Sequence, residues 1–222
     1  LYGENSTTIK NTVSGVITIG NNGAGIYGIS YQDPSHAQTY GLGLINIQND
    51  GAITADTGSG ALGIYANNNK AGGTIADSQV NLSTGTIDMQ NSVGGIGVYT
   101  EKNTLTGGAG VITVGKNGIG LYAKDSDVTL TGTTINLYGD NSLGVYLDGN
   151  TNFTGNGTIN ISGKNVILFN MATSGTVTNN FTVGTVSGNS TYTLGNITGG
   201  VFQYTGNSVL GSNGTLITGE NS

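Results

Sequence analysis

The side chains able to do chemistry are few: one histidine, His36, six lysines, twelve acids, no cysteine and no arginine in 222 residues. Without thiols, a cysteine-based zinc site or a Cys–His nucleophile pair is excluded. The sequence also lacks a Gly-x-Ser-x-Gly elbow, a phosphate loop and a calcium-binding nonapeptide repeat. Carboxylate chemistry remains. Glu101 follows Tyr99, Asp125 and Asp127 follow Tyr122, and Asp148 follows Tyr146. If the segments after successive tyrosines lie side by side, these acids approach one another. Two carboxylates flanking a glycosidic bond suffice for sugar hydrolysis, and a set of oxygen ligands holds calcium. The plainer reading is solvated turn residues partly balanced by Lys102 and Lys124. On that reading no catalytic residue, metal ligand or cofactor is assigned, and the chain is not an enzyme.

A second group of candidates lies between about Gly28 and Gln48. This stretch holds the only proline and the only histidine, together with Tyr31, Asp33, Gln38 and Tyr40. Loops projecting from a rigid scaffold are where recognition residues concentrate, so Tyr31, Asp33, His36 and Tyr40 are the candidate ligand-binding residues. A third candidate is the row of tyrosines itself, because exposed aromatic rings stack on sugars, although mutual stacking already explains the row and is the better reading. The net charge of −6 and pI near 4.3 supply no basic footprint for phosphates, so nucleic acid is not expected as a partner.

The elements that position these residues follow from repetition. Gly-aliphatic-Tyr recurs as Gly25-Ile26-Tyr27, Gly63-Ile64-Tyr65, Gly97-Val98-Tyr99, Gly120-Leu121-Tyr122 and Gly144-Val145-Tyr146. Leu1-Tyr2 is a truncated first copy, and Val166-Ile167-Leu168-Phe169 reads as a last one with Phe169 in the tyrosine place. Regular steps are 23–25 residues; those from Tyr27 to Tyr65 and from Tyr65 to Tyr99 are 38 and 34. A second motif carries aliphatic residues two apart: Ile17/Ile19, Ile87/Met89, Ile112/Val114 and Ile159/Ile161. A third, weaker one carries Val13, Leu82, Leu105, Leu130 and Phe153.

This period, with 41 glycines, one proline and no tryptophan, predicts an all-β, right-handed parallel β-helix: a solenoid of about 23–25 residues per coil with three strands per coil. The chain reads as one segment of a longer protein, with regular coils over 1–170, insertions near 28–48 and 67–79, and irregular further coils over 171–222. Strict alternation of side chains places Leu143, Val145 and Leu147 inward and Gly144 and Tyr146 outward, with each ring lying over a neighbouring glycine. Asn22, Asn117 and Asn141 precede their tyrosines by five residues and suit left-handed corners stacked into ladders. No apolar run approaches the roughly 20 residues that span a bilayer, which places any export signal or anchor outside the segment.

Asn-Gly or Asn-Ser before Gly-Ile-Tyr or Gly-Val-Tyr, alternating with Gly-Val-Ile-Thr-Val-Gly, resembles the passenger repeats of fusobacterial autotransporter adhesins over about residues 1–170. The resemblance implies a type V secreted passenger at the outer-membrane surface, held by a β-barrel outside this segment. It also implies attachment to a host-cell or bacterial receptor, protein or glycan. A carbohydrate-active β-helix enzyme such as a polysaccharide depolymerase is the alternative.

Overall fold

The computed structural model describes residues 1–5, 7–31, 45–69, 78–206 and 214–219. These are all-β, with no helix among them; a composition rich in Gly, Thr, Asn and Ser is poor for long helices and compatible with short strands joined by turns. Every strand pairing is parallel.

The tyrosine motifs build a nine-stranded sheet whose spatial order is the chain order: Tyr2–Glu4, Ala24–Tyr31, Leu62–Asn69, Ile96–Glu101, Ile119–Lys124, Leu143–Gly149, Val166–Thr173, Tyr192–Ile197 and Gly214–Gly219. The two other motifs share a twelve-stranded sheet. In the early repeats they are separate short strands, such as Thr104–Gly107 and Val111–Val114. From Asp127–Leu137 onward they fuse into single strands of ten or eleven residues. The turn between them shrinks to one bulge at Gly132, where φ is +76° and the register shifts between Thr131 and Thr133; only glycine enters that conformation without strain.

The longer steps of sequence fall between strands. Gly28–Tyr31 and Ile45–Gln48 are paired, as are Asn67–Asn69 and Gln79, so the stack continues across both. It continues past residue 170 too: Ile167, Phe169 and Asn170 pair with Thr193, Gly195 and Asn196, which pair in turn with Thr215, Ile217 and Thr218.

Between the two sheets lies an aliphatic core in which Ile53, Ile87, Ile112, Ile135 and Ile159 form one buried column in register. Of the expected inward pairs only Ile17 is not fully buried, being in the strand at the end of its sheet. Toward the later repeats the core becomes aromatic: Phe153, Phe169 and Phe181 pack with ring centroids 6.0–6.4 Å apart. Gly155 makes room for them, since a Cβ there would lie 2.5 Å from Phe153 Cζ.

Three details differ from the sequence-based expectation. Val13 is 80% exposed in the turn that follows the strand Thr7–Asn11; the core position of that strand is Ile9, in register with Ile47, Val80, Leu105, Val128 and Phe153. Leu82 and Leu130 belong to a neighbouring column, meeting over Gly107, whose missing side chain leaves space for both. The motif glycines face inward. A Cβ on Gly97 would sit 2.6 Å from both Ile112 Cγ2 and the carbonyl oxygen of Gly120, so Gly and the following aliphatic residue both point to the core, while Ile119 and Leu143 are only partly buried.

Candidate functional site

The nine-stranded sheet presents a row of phenols, half-buried except at Tyr2, which is exposed. Parallel in-register pairing puts Tyr2, Tyr27, Tyr65, Tyr99, Tyr122 and Tyr146 in one column, and strands about 4.8 Å apart bring the rings to stacking distance. The centroids are separated by 5.7, 4.7, 4.9, 5.1 and 4.7 Å, with interplanar angles of 5–23° for the first four pairs and 58° for Tyr122–Tyr146. The row does not end at Phe169, which lies one position off, pairs with Val145 and is buried. Asn170 takes the place after Tyr146, and its Oδ1 accepts a hydrogen bond from Asn196 Nδ2 at 3.1 Å, so an amide ladder succeeds the phenol ladder.

Two residues beyond each tyrosine lies a polar column in which Asn67, Glu101, Lys124 and Asp148 are successive partners. Tyr99 donates its phenol proton to Glu101 Oε2 at 2.7 Å, and Asn67 Nδ2 donates to the same oxygen at 3.2 Å. Lys124 Nζ lies 3.3 Å from Glu101 Oε1, and Tyr122 donates to Asp148 Oδ2 at 3.0 Å. Burial, then the hydrogen bond to the carboxylate, pushes the phenol pKa values of Tyr99 and Tyr122 well above their ordinary range. Lys124 is pushed up by its contact with Glu101. Lys124 therefore stands between Glu101 and Asp148, two of the four acids that the sequence placed near one another, and each of the two anchors a tyrosine.

The remaining acids are also engaged. Asp125 adopts a left-handed conformation with φ +47°, and its Oδ1 accepts from the Asn150 amide at 2.9 Å. Asp127 Oδ1 accepts from Asn152 Nδ2 at 2.9 Å. Among the described residues there is no group of three or more His, Cys, Asp or Glu arranged to hold a metal ion. Of the candidate recognition residues, Tyr31 ends its strand opposite Asn69. Asp33, His36 and Tyr40, with Gln38, lie outside the described residues.

The corners that hold this face are built from left-handed residues in register. Asn22, Asn117 and Asn141 have φ of +54°, +56° and +58°, and Asn165 joins them at +54°. Asn141 Nδ2 donates to Asn117 Oδ1 at 3.3 Å. Gly60 and Gly94, at +65° and +68°, occupy the same column in repeats that lack an asparagine there.

A second corner was not anticipated from sequence. Ser78, Asn103, Ser126 and Thr151 each precede a strand of the twelve-stranded sheet and are buried. The Asn103 amide donates to Ser126 Oγ at 3.2 Å, the Ser126 amide to Thr151 Oγ1 at 3.3 Å, and the Thr151 amide to Thr173 Oγ1 at 2.7 Å. Their signal was present as a small polar residue before each weak strand, unread because turn residues are polar anyway.

No protein family, curated protein or solved structure matches the chain.

Proposed function

We propose that the chain is a right-handed parallel β-helix forming part of a bacterial surface adhesin of the autotransporter type, a rigid shaft that also displays an attachment surface. The observation that carries this reading is the uninterrupted phenol-to-amide ladder, in which each repeat contributes one ring or amide in register with the next. Such a column requires each repeat to return the chain to the same place one strand spacing further on, and parallel crossovers are right-handed almost without exception. Nine stacked strands at about 4.8 Å spacing extend about 38 Å along the stack. Stability that adds up from neighbour to neighbour suits a stalk of any length.

The partner in this reading is a host-cell or bacterial surface receptor, protein or glycan, and attachment to the outer membrane runs through a barrel outside this segment. The role is mechanical and adhesive without a catalytic step, because the acids near the tyrosines are taken up by phenols, amides and Lys124. The test is attachment of the purified chain to host and bacterial cells, beside a variant in which residues 32–44 are replaced by a short Gly-Ser linker. Residues 29–31 are kept because they are paired in the sheet. Attachment lost with the replacement assigns recognition to the segment holding Asp33, His36 and Tyr40. Retained attachment moves recognition to the sheet faces. No attachment by the folded, intact chain overturns the adhesive reading.

A further inference from the structure

On the twelve-stranded sheet, away from the phenol ladder, lies a groove of about 450 Å³ lined by Gln90, Tyr138, Asn160, Ser162, Thr185 and Ser187. Its origin is visible in the register. Met89, Val114, Leu137, Ile161 and Val186 are successive core or edge partners, so the residues that follow them form one column: Gln90, Gly115, Tyr138, Ser162 and Ser187. Gly115, one strand before Tyr138, carries no side chain, and the place its Cβ would take is filled by the Gln90 carbonyl oxygen; a β-bulge forms the far wall. There Ile159 and Ile161 pair with Val183 and Val186, so the strand Thr176–Val186 carries one residue more than its partner. The bulge fixes Thr185 in place, with its amide donating to Asn160 Oδ1 at 2.9 Å. Bulges recur where a strand must re-aim a side chain toward a site.

The lining mixes uncharged polar side chains with the ring of Tyr138 and carries no acid, lysine or histidine. Asn160 is held from both sides, its Nδ2 donating to Asn136 Oδ1 at 2.9 Å, and Ser162 and Ser187 are hydrogen-bonded to each other at 3.0 Å. The side chains of Gln90, Tyr138 and Thr185 make no hydrogen bond to a described residue. Tyr138 is 43% exposed and has no aromatic neighbour among the described residues, unlike the ladder tyrosines. One free aromatic face, a free amide and a free hydroxyl beside fixed polar neighbours match a ligand with an apolar C–H face and many uncharged hydroxyls.

We propose that this groove binds a neutral oligosaccharide, with one sugar ring lying on Tyr138 and the rings on either side of it reaching Gln90 and Thr185, each two strands away. The proposal deepens the attachment reading by naming a ligand class and a surface, and it rests on that reading only for its biological role. An anionic ligand would find no cation in the lining, and a protein partner would find Tyr138 as its single aromatic anchor.

The test is calorimetric titration of the chain with neutral oligosaccharides of glucose, galactose, mannose, N-acetylglucosamine and N-acetylgalactosamine. Sialyllactose and heparin fragments serve as anionic controls. At least one neutral saccharide is expected to bind saturably, Tyr138→Ala to weaken it about tenfold, about 1.4 kcal/mol, and Tyr138→Phe to retain most of the affinity. The exposed position makes the melting temperature of these variants equal to that of the parent, which separates binding from folding. Binding of none of the neutral sugars, binding of anionic ones only, or affinity unchanged in Tyr138→Ala overturns the site. Cell attachment is measured in parallel. Saccharide binding without attachment upholds the groove and overturns the adhesive reading; attachment without saccharide binding does the reverse.

Discussion

Each motif glycine is set by what surrounds its missing side chain. At Gly97 a methyl group would meet a neighbouring carbonyl oxygen and an isoleucine methyl, both at 2.6 Å, and the carbonyl belongs to the sheet and cannot move freely. Gly97→Ala is expected to cost about 1–3 kcal/mol, read as a fall in the urea midpoint, whereas an unchanged midpoint would contradict the inward orientation. The phenols carry a pH signature. Tyr99 and Tyr122 have pKa values raised above the ordinary 10.0, so the unfolded chain gives up these protons before the folded one does. Their contribution to stability is complete below pH 10 and declines as pH rises from there through the folded values. Alkaline titration is expected to show the phenolate absorbance of these two tyrosines rising together with loss of the β-sheet circular dichroism signal; their titration at ordinary pH in an intact fold would contradict the burial. Sequence made the tyrosine column legible, because in-register repeats must align. The glycine orientation was not legible, because strict alternation has no place for two consecutive inward residues.

At the scale of the element, strands are held by their cores and their corners. Val145 is 0% exposed at the centre of its strand, so Val145→Asp buries a charge without a partner and is expected to cost about 3–5 kcal/mol; a wild-type melting temperature would overturn the inside–outside assignment. The buried hydroxyl corner is equally specific. Thr151 Oγ1 accepts the Ser126 amide and donates to the Asp148 carbonyl at 2.7 Å. Thr151→Val keeps the shape and removes both bonds, with an expected loss of about 1–3 kcal/mol, whereas Thr151→Ser is expected to be close to neutral. Thermal melts of the two variants side by side decide it. The asparagine corners could be anticipated from their position before each tyrosine. The hydroxyl corner could not, since burial of a small polar residue depends on which strand end covers it.

For the whole molecule, repetition makes length adjustable. Ile119 is in register with Leu143, so deleting residues 119–142 joins Gly118 to Leu143 and removes one complete repeat. The shortened chain is expected to fold, with a lower melting temperature from the loss of one stacking interface. Deleting only 119–130 breaks the register and is expected to unfold the repeats on both sides. Circular dichroism and melting curves distinguish the two. If the whole-repeat deletion fails to fold, stability does not add up from neighbouring repeats.

The sequence by itself determined the periodic part of this protein: the aligned tyrosines, the inward isoleucine pairs, the left-handed asparagines and the all-β class. Each of these is a property of one residue type recurring at one spacing. Tertiary structure decided what depends on the neighbour across the stack. It turned the motif glycines inward, moved Phe169 into the core beside Phe153 and Phe181, and fused two strands into one at Gly132. It set Lys124 between Glu101 and Asp148 and left Tyr138 uncovered beside a glycine and a bulge. The physical reason is the same each time: a side chain's environment in a parallel stack is supplied by residues one period away or more, and volume, charge and backbone register there vary from repeat to repeat although the spacing does not.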